Sequence, residues 1–157
     1  MKFEKFYKNS GMNGQIVELE DGDKWLVCNR VGMRVPDGVI NLLGIGGTTD
    51  KVRQIVEAIT EADTDDKVVL SRAYLKADGK PTEIIRIFMD EYGDGVGIIN
   101  KDFGLIERSD ANLCHVEVVP ENGEESELRF LVILDRDDLP VGFVAGVDPV
   151  TLNYKEN

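Results

Sequence analysis

Val52, Ile55, Val56 and Ile59 recur at i, i+3, i+4 and i+7, a spacing that puts four apolar side chains on one stripe of an α-helix and leaves Lys51, Arg53, Gln54 and Glu57 facing water. The pattern predicts a helix over residues 49–62 packed on a sheet. Thr48 or Thr49 caps its start by accepting a backbone N–H, and Asp50 places negative charge where the helix dipole favours it. Ahead of the cap, Val39–Leu43 reads as a buried strand. Gly44, Gly46 and Gly47 then form a loop whose bare backbone, with Thr48 and Thr49, makes a generic anion site at the helix N-terminus. GIGGTTDK lacks the third glycine of a dinucleotide fingerprint and the Gly-Lys-Ser/Thr ending of a P-loop. The simpler reading is a tight strand-to-helix turn.

The remaining chain alternates short apolar runs with Gly- and Asp-bearing turns. Gln15–Glu20 and Lys24–Asn29 read as a hairpin closed at Asp21-Gly22. Lys67–Leu75 and Thr82–Asp90 form a second hairpin, followed by the strand Val96–Asn100. Leu113–Val119, Glu127–Asp135 and Val141–Val147 complete the set. Trp25 and Val27 oppose Leu26 and Cys28, so the first hairpin is not a free surface flap, and Phe130, Val132 and Leu134 oppose Leu131 and Ile133, so that strand is central in its sheet. Short turns imply antiparallel neighbours. The expected fold is α+β and β-rich, a mostly antiparallel sheet with one main helix on a face; a right-handed βαβ crossover from Val39 to Leu75 in a mixed sheet is the alternative. A chain of 157 residues fits one domain. Phe3, Phe6 and Tyr7 mark a short amphipathic segment over residues 1–10, and residues 153–157 are expected to fray.

Charge bears on function. Eighteen basic residues against 30 acidic ones give −12 and argue against direct contact with nucleic-acid phosphates. The imbalance is uneven: residues 1–34 hold six basic and five acidic side chains, and residues 35–157 hold 12 and 25. No apolar run is long enough to cross a bilayer, and the N-terminus lacks an apolar leader core, so a soluble cytoplasmic protein is expected. Cys28 and Cys114 lack metal-site spacing and read as reduced core thiols.

The single histidine, His115, adjoins Cys114, but neighbours on a strand point to opposite faces and cannot form a dyad. A partly exposed strand histidine is the expectation. Asp63-Thr64-Asp65-Asp66 and Asp135-Arg136-Asp137-Asp138 share the form DxDD, and Asp21-Gly22-Asp23 is a third cluster; none completes a calcium loop, and turn acids are the simpler reading. No catalytic residue, metal ligand or cofactor is assigned. The leading reading is a non-enzymatic acidic binding protein that occupies a basic surface of a protein partner, as a nucleic-acid-mimicking inhibitor or a subunit of a larger particle, without binding nucleic acid or membrane itself. Its candidate contact residues are Glu61, Asp63, Asp65, Asp66, Glu121, Glu124 and Glu125. The alternative is a small nucleotide- or divalent-metal-dependent enzyme using Gly44, Gly46, Gly47, Thr48 and Thr49.

Overall fold

The computed structural model describes residues 1–10, 13–37, 47–77, 82–119, 128–147 and 154–156. In chain order these form α1 (Phe3–Ser10), β1 (Gln15–Glu18), β2 (Lys24–Cys28), β3 (Val31–Arg34), α2 (Asp50–Glu61), β4 (Val69–Ala77) and β5 (Glu83–Met89). Then come β6 (Gly95–Ile99), α3 (Asn100–Phe103), β7 (Leu113–Val118), β8 (Leu128–Leu134), β9 (Pro140–Ala145) and β10 (Tyr154–Glu156). One sheet has six strands in the order β1-β2-β3-β9-β8-β7 and the other four, β10-β4-β5-β6. Among the described residues every strand pairing is antiparallel. The α+β, β-rich architecture is the one the turns imply.

The six-stranded sheet is buried on both sides, which is why β2 and β8 are apolar on alternate residues of both phases. On one face α2 lies against β7 and β1, and Val56 and Ile59 join Val17, Trp25, Cys114, Phe130, Val132 and Phe143 in one cluster. On the other face Leu26, Met33, Leu131, Ile133 and Val144 meet Phe6 of α1, Leu105 after α3, and Phe88, Val96 and Ile98 of the second sheet. The chain is therefore layered as helix, sheet, and a second sheet flanked by the two short helices. Complete burial of Trp25, Leu131 and Val132 supplies the driving force that marginal hairpins lack.

Thr49, not Thr48, caps α2: its Oγ1 accepts the Val52 N–H at 3.4 Å. Val56 and Ile59 are fully buried, and Val52 and Ile55 lie partly buried at the margin of the stripe. Arg53 donates from Nη1 to the Glu18 carbonyl at 2.7 Å, pinning the helix to β1.

Several expectations are corrected. A strand at Val31–Arg34 was not legible, because Val-Gly-Met-Arg is short and holds a glycine; its close partner is Phe143, whose ring lies over Gly32. Lys67 makes an isolated bridge with Cys114, and β4 begins at Val69. Residues 154–156, within the stretch expected to fray, pair with β4, whose outer edge offers unpaired backbone groups that a further strand satisfies. The strand Val39–Leu43, the turns at residues 78–81 and 121–125 and the stop at Pro149 lie outside the described residues, so the crossover alternative has no parallel pair among those described. Among the described residues no helix is long and apolar enough to cross a membrane.

Candidate functional site: two acidic turns joined at one end of the molecule

The two DxDD segments have the same local physics. Asp63 Oδ1 accepts the Asp65 N–H at 2.9 Å, and Asp135 Oδ1 accepts the Asp137 N–H at 2.8 Å. Asp21 Oδ1 repeats the arrangement with the Asp23 N–H at 2.9 Å. The first aspartate of each cluster thus closes an Asx turn, which explains its place in the sequence without a metal ion. Asp135 also accepts the Leu139 N–H at 3.0 Å, and Asp138 sits at φ 60°, a left-handed position that a short polar side chain tolerates. Among the described residues no three His, Cys, Asp or Glu side chains converge as metal ligands.

Tertiary structure brings the two turns together. Lys67, immediately after Asp66, reaches Asp138 Oδ1 at 2.6 Å and Asn112 Oδ1 at 2.7 Å. Asn112 in turn donates to Asp138 Oδ1 at 2.6 Å and to the Asp135 carbonyl at 2.8 Å. Lys67 therefore staples the loop after α2 to the β8–β9 turn. Glu61, Asp63, Asp65 and Asp66 are exposed on one side of this staple, and Asp137 and Asp138 on the other. Exposed Leu139 lies beside them, and Val69 and Leu70 follow within β4.

The electrostatics differ between the turns. The Asp65 carboxyl is pushed above its ordinary range by its hydrogen bond with the Asp63 side chain and then by the negative charges of Asp63 and Asp66. Asp138 is held below its ordinary range, first by the Asn112 hydrogen bond and then by Lys67. The loop after α2 thus concentrates negative charge that Lys67 offsets only in part. Of the contact residues expected from sequence, Glu61, Asp63, Asp65 and Asp66 share this surface, whereas Glu121, Glu124 and Glu125 lie outside the described residues. Asp137, Asp138, Lys67 and Asn112 were not among them. The repetition of DxDD was the available signal; that the repeats adjoin is decided by sheet order.

Gly44 and Gly46 of the glycine loop also lie outside the described residues. At the adjoining helix N-terminus the Thr49 N–H donates to Gln15 Oε1 at 3.0 Å, and the Val52 N–H is taken by the cap. The protein's own oxygens occupy these two amides. Thr48 uses its hydroxyl on the Thr49 carbonyl, and Gly47 stands in open space.

The remaining titratable candidates are structural in their contacts. Cys114 points into the α2-facing cluster, and burial pushes its thiol up to about 11, the opposite of what a nucleophile needs. His115 corrects the expectation of partial exposure: it is 8% exposed, because β7 presents it to the second sheet. Its Nε2 lies 3.3 Å from Asp90 Oδ2, while Nδ1 has no hydrogen-bond partner among the described residues. Burial works to raise the Asp90 carboxyl, but the Asp94 and Tyr92 backbone N–H groups and His115 outweigh it and hold it low. The pair ties β7 to the β5–β6 turn. A cleft of about 640 Å³ between the sheets is walled by Ile85, Ile87, Met89 and Leu128, and Arg129 at its edge is committed to the Gly95 carbonyl at 3.0 Å and Glu117 at 3.0 Å.

Comparison of the chain with protein-family models, with curated proteins and with solved structures finds no match.

Proposed function

We propose that this is a non-enzymatic binding protein whose stapled pair of acidic turns occupies a basic surface of a protein partner, as an inhibitor that imitates nucleic acid or as a subunit seated in a larger particle. One observation carries the reading: Lys67 joins two turns of the same DxDD form, so that Asp65, Asp66 and Asp137 are presented from a scaffold tied to α2 and to the six-stranded sheet. A surface that is already ordered loses less entropy on binding than a free acidic tail would. Charges so placed act chiefly on encounter rate and on choice of partner, and their effect is screened by salt. The separation of Cys114 from His115 and the upward shift of the Cys114 thiol support the non-enzymatic side of the reading.

The test uses a triple charge reversal, Asp65→Lys, Asp66→Lys and Asp137→Lys, which spares the turn-closing Asp63 and Asp135. Reversal of Glu4, Glu20 and Glu91, all exposed elsewhere, is the control. Association with a lysine-rich peptide and with proteins from the host lysate is measured at low and high salt. The reading requires association to slow by roughly 10-fold or more on reversing the turns, with little change in the control. Binding indifferent to salt and to the triple reversal refutes it.

A further inference from the structure

At the end of β9 away from the β8–β9 turn, where the Arg30 carbonyl accepts the Ala145 N–H, α1, the β2–β3 turn and α3 line a pocket of about 310 Å³ whose charge is reversed. Its lining carries Lys5 from α1, Arg30 from the turn, and Lys101 and Asp102 from α3. Three cations face one carboxylate in a protein where acids outnumber bases 30 to 18. The excess of basic residues within the first 34 positions has its structural counterpart here, since Lys5 and Arg30 both come from that segment. Asn9 and Asn29 add side-chain amides to the wall.

The arrangement is built, not merely a group of surface lysines. Asp102 is 6% exposed, and its Oδ2 accepts the Arg30 Nε at 2.9 Å. The buried carboxylate anchors the guanidinium through that one bond at Nε, while the side chain stays 40% exposed at the pocket. The backbone sets the approach: Cys28 pairs with Val31, so Asn29 and Arg30 form a two-residue turn with Asn29 at φ 54°. Lys5 Nζ comes within 3.9 Å of the position a Cβ on Gly104 would take, at the C-terminal end of α3. The Arg30–Asp102 pair accounts for two of the four charges as a tie between α3 and the sheet. It does not account for Lys5 and Lys101, neither of which has a carboxylate within ion-pair distance among the described residues.

We propose that this pocket binds a phosphomonoester or free phosphate. Two net positive charges match the roughly −1.5 to −2 of a phosphate group at neutral pH, and a guanidinium anchored at Nε in a pocket that two lysines also line offers donors to its oxygens. The volume lies at the small end of ligand pockets, the size of a sugar phosphate or a mononucleotide.

The experiment titrates the whole chain with inorganic phosphate, glycerol phosphate and adenosine monophosphate at constant ionic strength, against chloride and acetate, by calorimetry and by amide chemical shifts. Saturable binding with a Kd below about 1 mM is expected for at least one phosphate arm, with shifts at Asn9, Asn29 and Lys101. Tighter binding of an ester assigns an organic phosphate as ligand, and tighter binding of inorganic phosphate assigns the free ion. Lys5→Gln with Lys101→Gln keeps the Arg30–Asp102 pair and should weaken binding about 10-fold or more. Arg30→Lys keeps a cation for Asp102 but loses the guanidinium, and should also weaken it. Lys24→Gln with Lys51→Gln, which removes the same charge from exposed positions elsewhere, should leave it unchanged. Absence of saturation up to about 10 mM, an equal response to chloride, or wild-type affinity in the Lys5/Lys101 double variant overturns the proposal.

Discussion

Truncating Ile59 to alanine measures how firmly α2 is seated on the six-stranded sheet, and therefore how well the acidic loop that follows it is held. Ile59 is 0% exposed and belongs to the cluster containing Val17, Trp25, Cys114 and Val116. Ile59→Ala removes three carbons, worth about 0.8 kcal/mol each on transfer, or about 2.4 kcal/mol. A partly collapsed void between helix and sheet adds about 1 kcal/mol. The better helix propensity of alanine returns a few tenths, leaving a net loss of about 3 kcal/mol. In a chain of this size that is a fall in Tm of roughly 6–12 °C. Ile55→Ala, at the partly buried edge of the stripe, should cost about half as much, and Gln54→Ala, exposed on the opposite face, less than about 0.5 kcal/mol. Urea unfolding followed by fluorescence of Trp25, which lies in the same cluster, gives the three values from one probe. Ile59→Ala within about 1 kcal/mol of Gln54→Ala, at an unchanged m-value, would show that α2 is not packed as described.

The two acidic turns predict opposite pH signatures. Asp65 is raised above its ordinary 3.8, so its ionised form costs the fold stability at neutral pH and protonation relieves it; Asp65→Asn should stabilise at pH about 7 and lose that advantage in acid. Asp138 is lowered below 3.8, so its contribution is present above that pH and is lost as pH falls through the lower folded value; urea midpoints of Asp138→Asn should converge on wild type in acid. Gly32→Ala sets a Cβ against the ring of Phe143, which stacks on Trp25 at 5.9 Å and meets Phe130 edge-on at 5.5 Å, and should cost about 1–3 kcal/mol by calorimetric melting. Both thiols are buried and Cys114 is pushed up to about 11, so a colorimetric thiol reagent should react slowly with native protein and rapidly in urea; prompt reaction of Cys114 in the native state would contradict its placement.

What could be read from the chain was local. The period of Val52, Ile55, Val56 and Ile59 specified α2, the opposed apolar sets on β8 specified a central strand, and those on β2 ruled out a free flap. Asp-x-Asp turns were legible because an Asx hydrogen bond closes within two residues. These signals depend on neighbours within one turn of helix or one hairpin, and composition states them directly. Tertiary structure decided the rest. β3 exists because Val31, Gly32 and Met33 meet Val144, Phe143 and Gly142, far along the chain, and no pattern inside Val-Gly-Met-Arg announces that pairing. His115 is buried because the second sheet supplies Asp90, and Lys67 joins the two DxDD turns because β7 and the β8–β9 turn bring Asn112 and Asp138 to it. Lys5, Arg30 and Lys101 become one pocket only when α1, the β2–β3 turn and α3 converge. Periodicity encodes which face of an element avoids water; it does not encode which distant face covers it, since any apolar surface of the right shape satisfies the same hydrophobic demand.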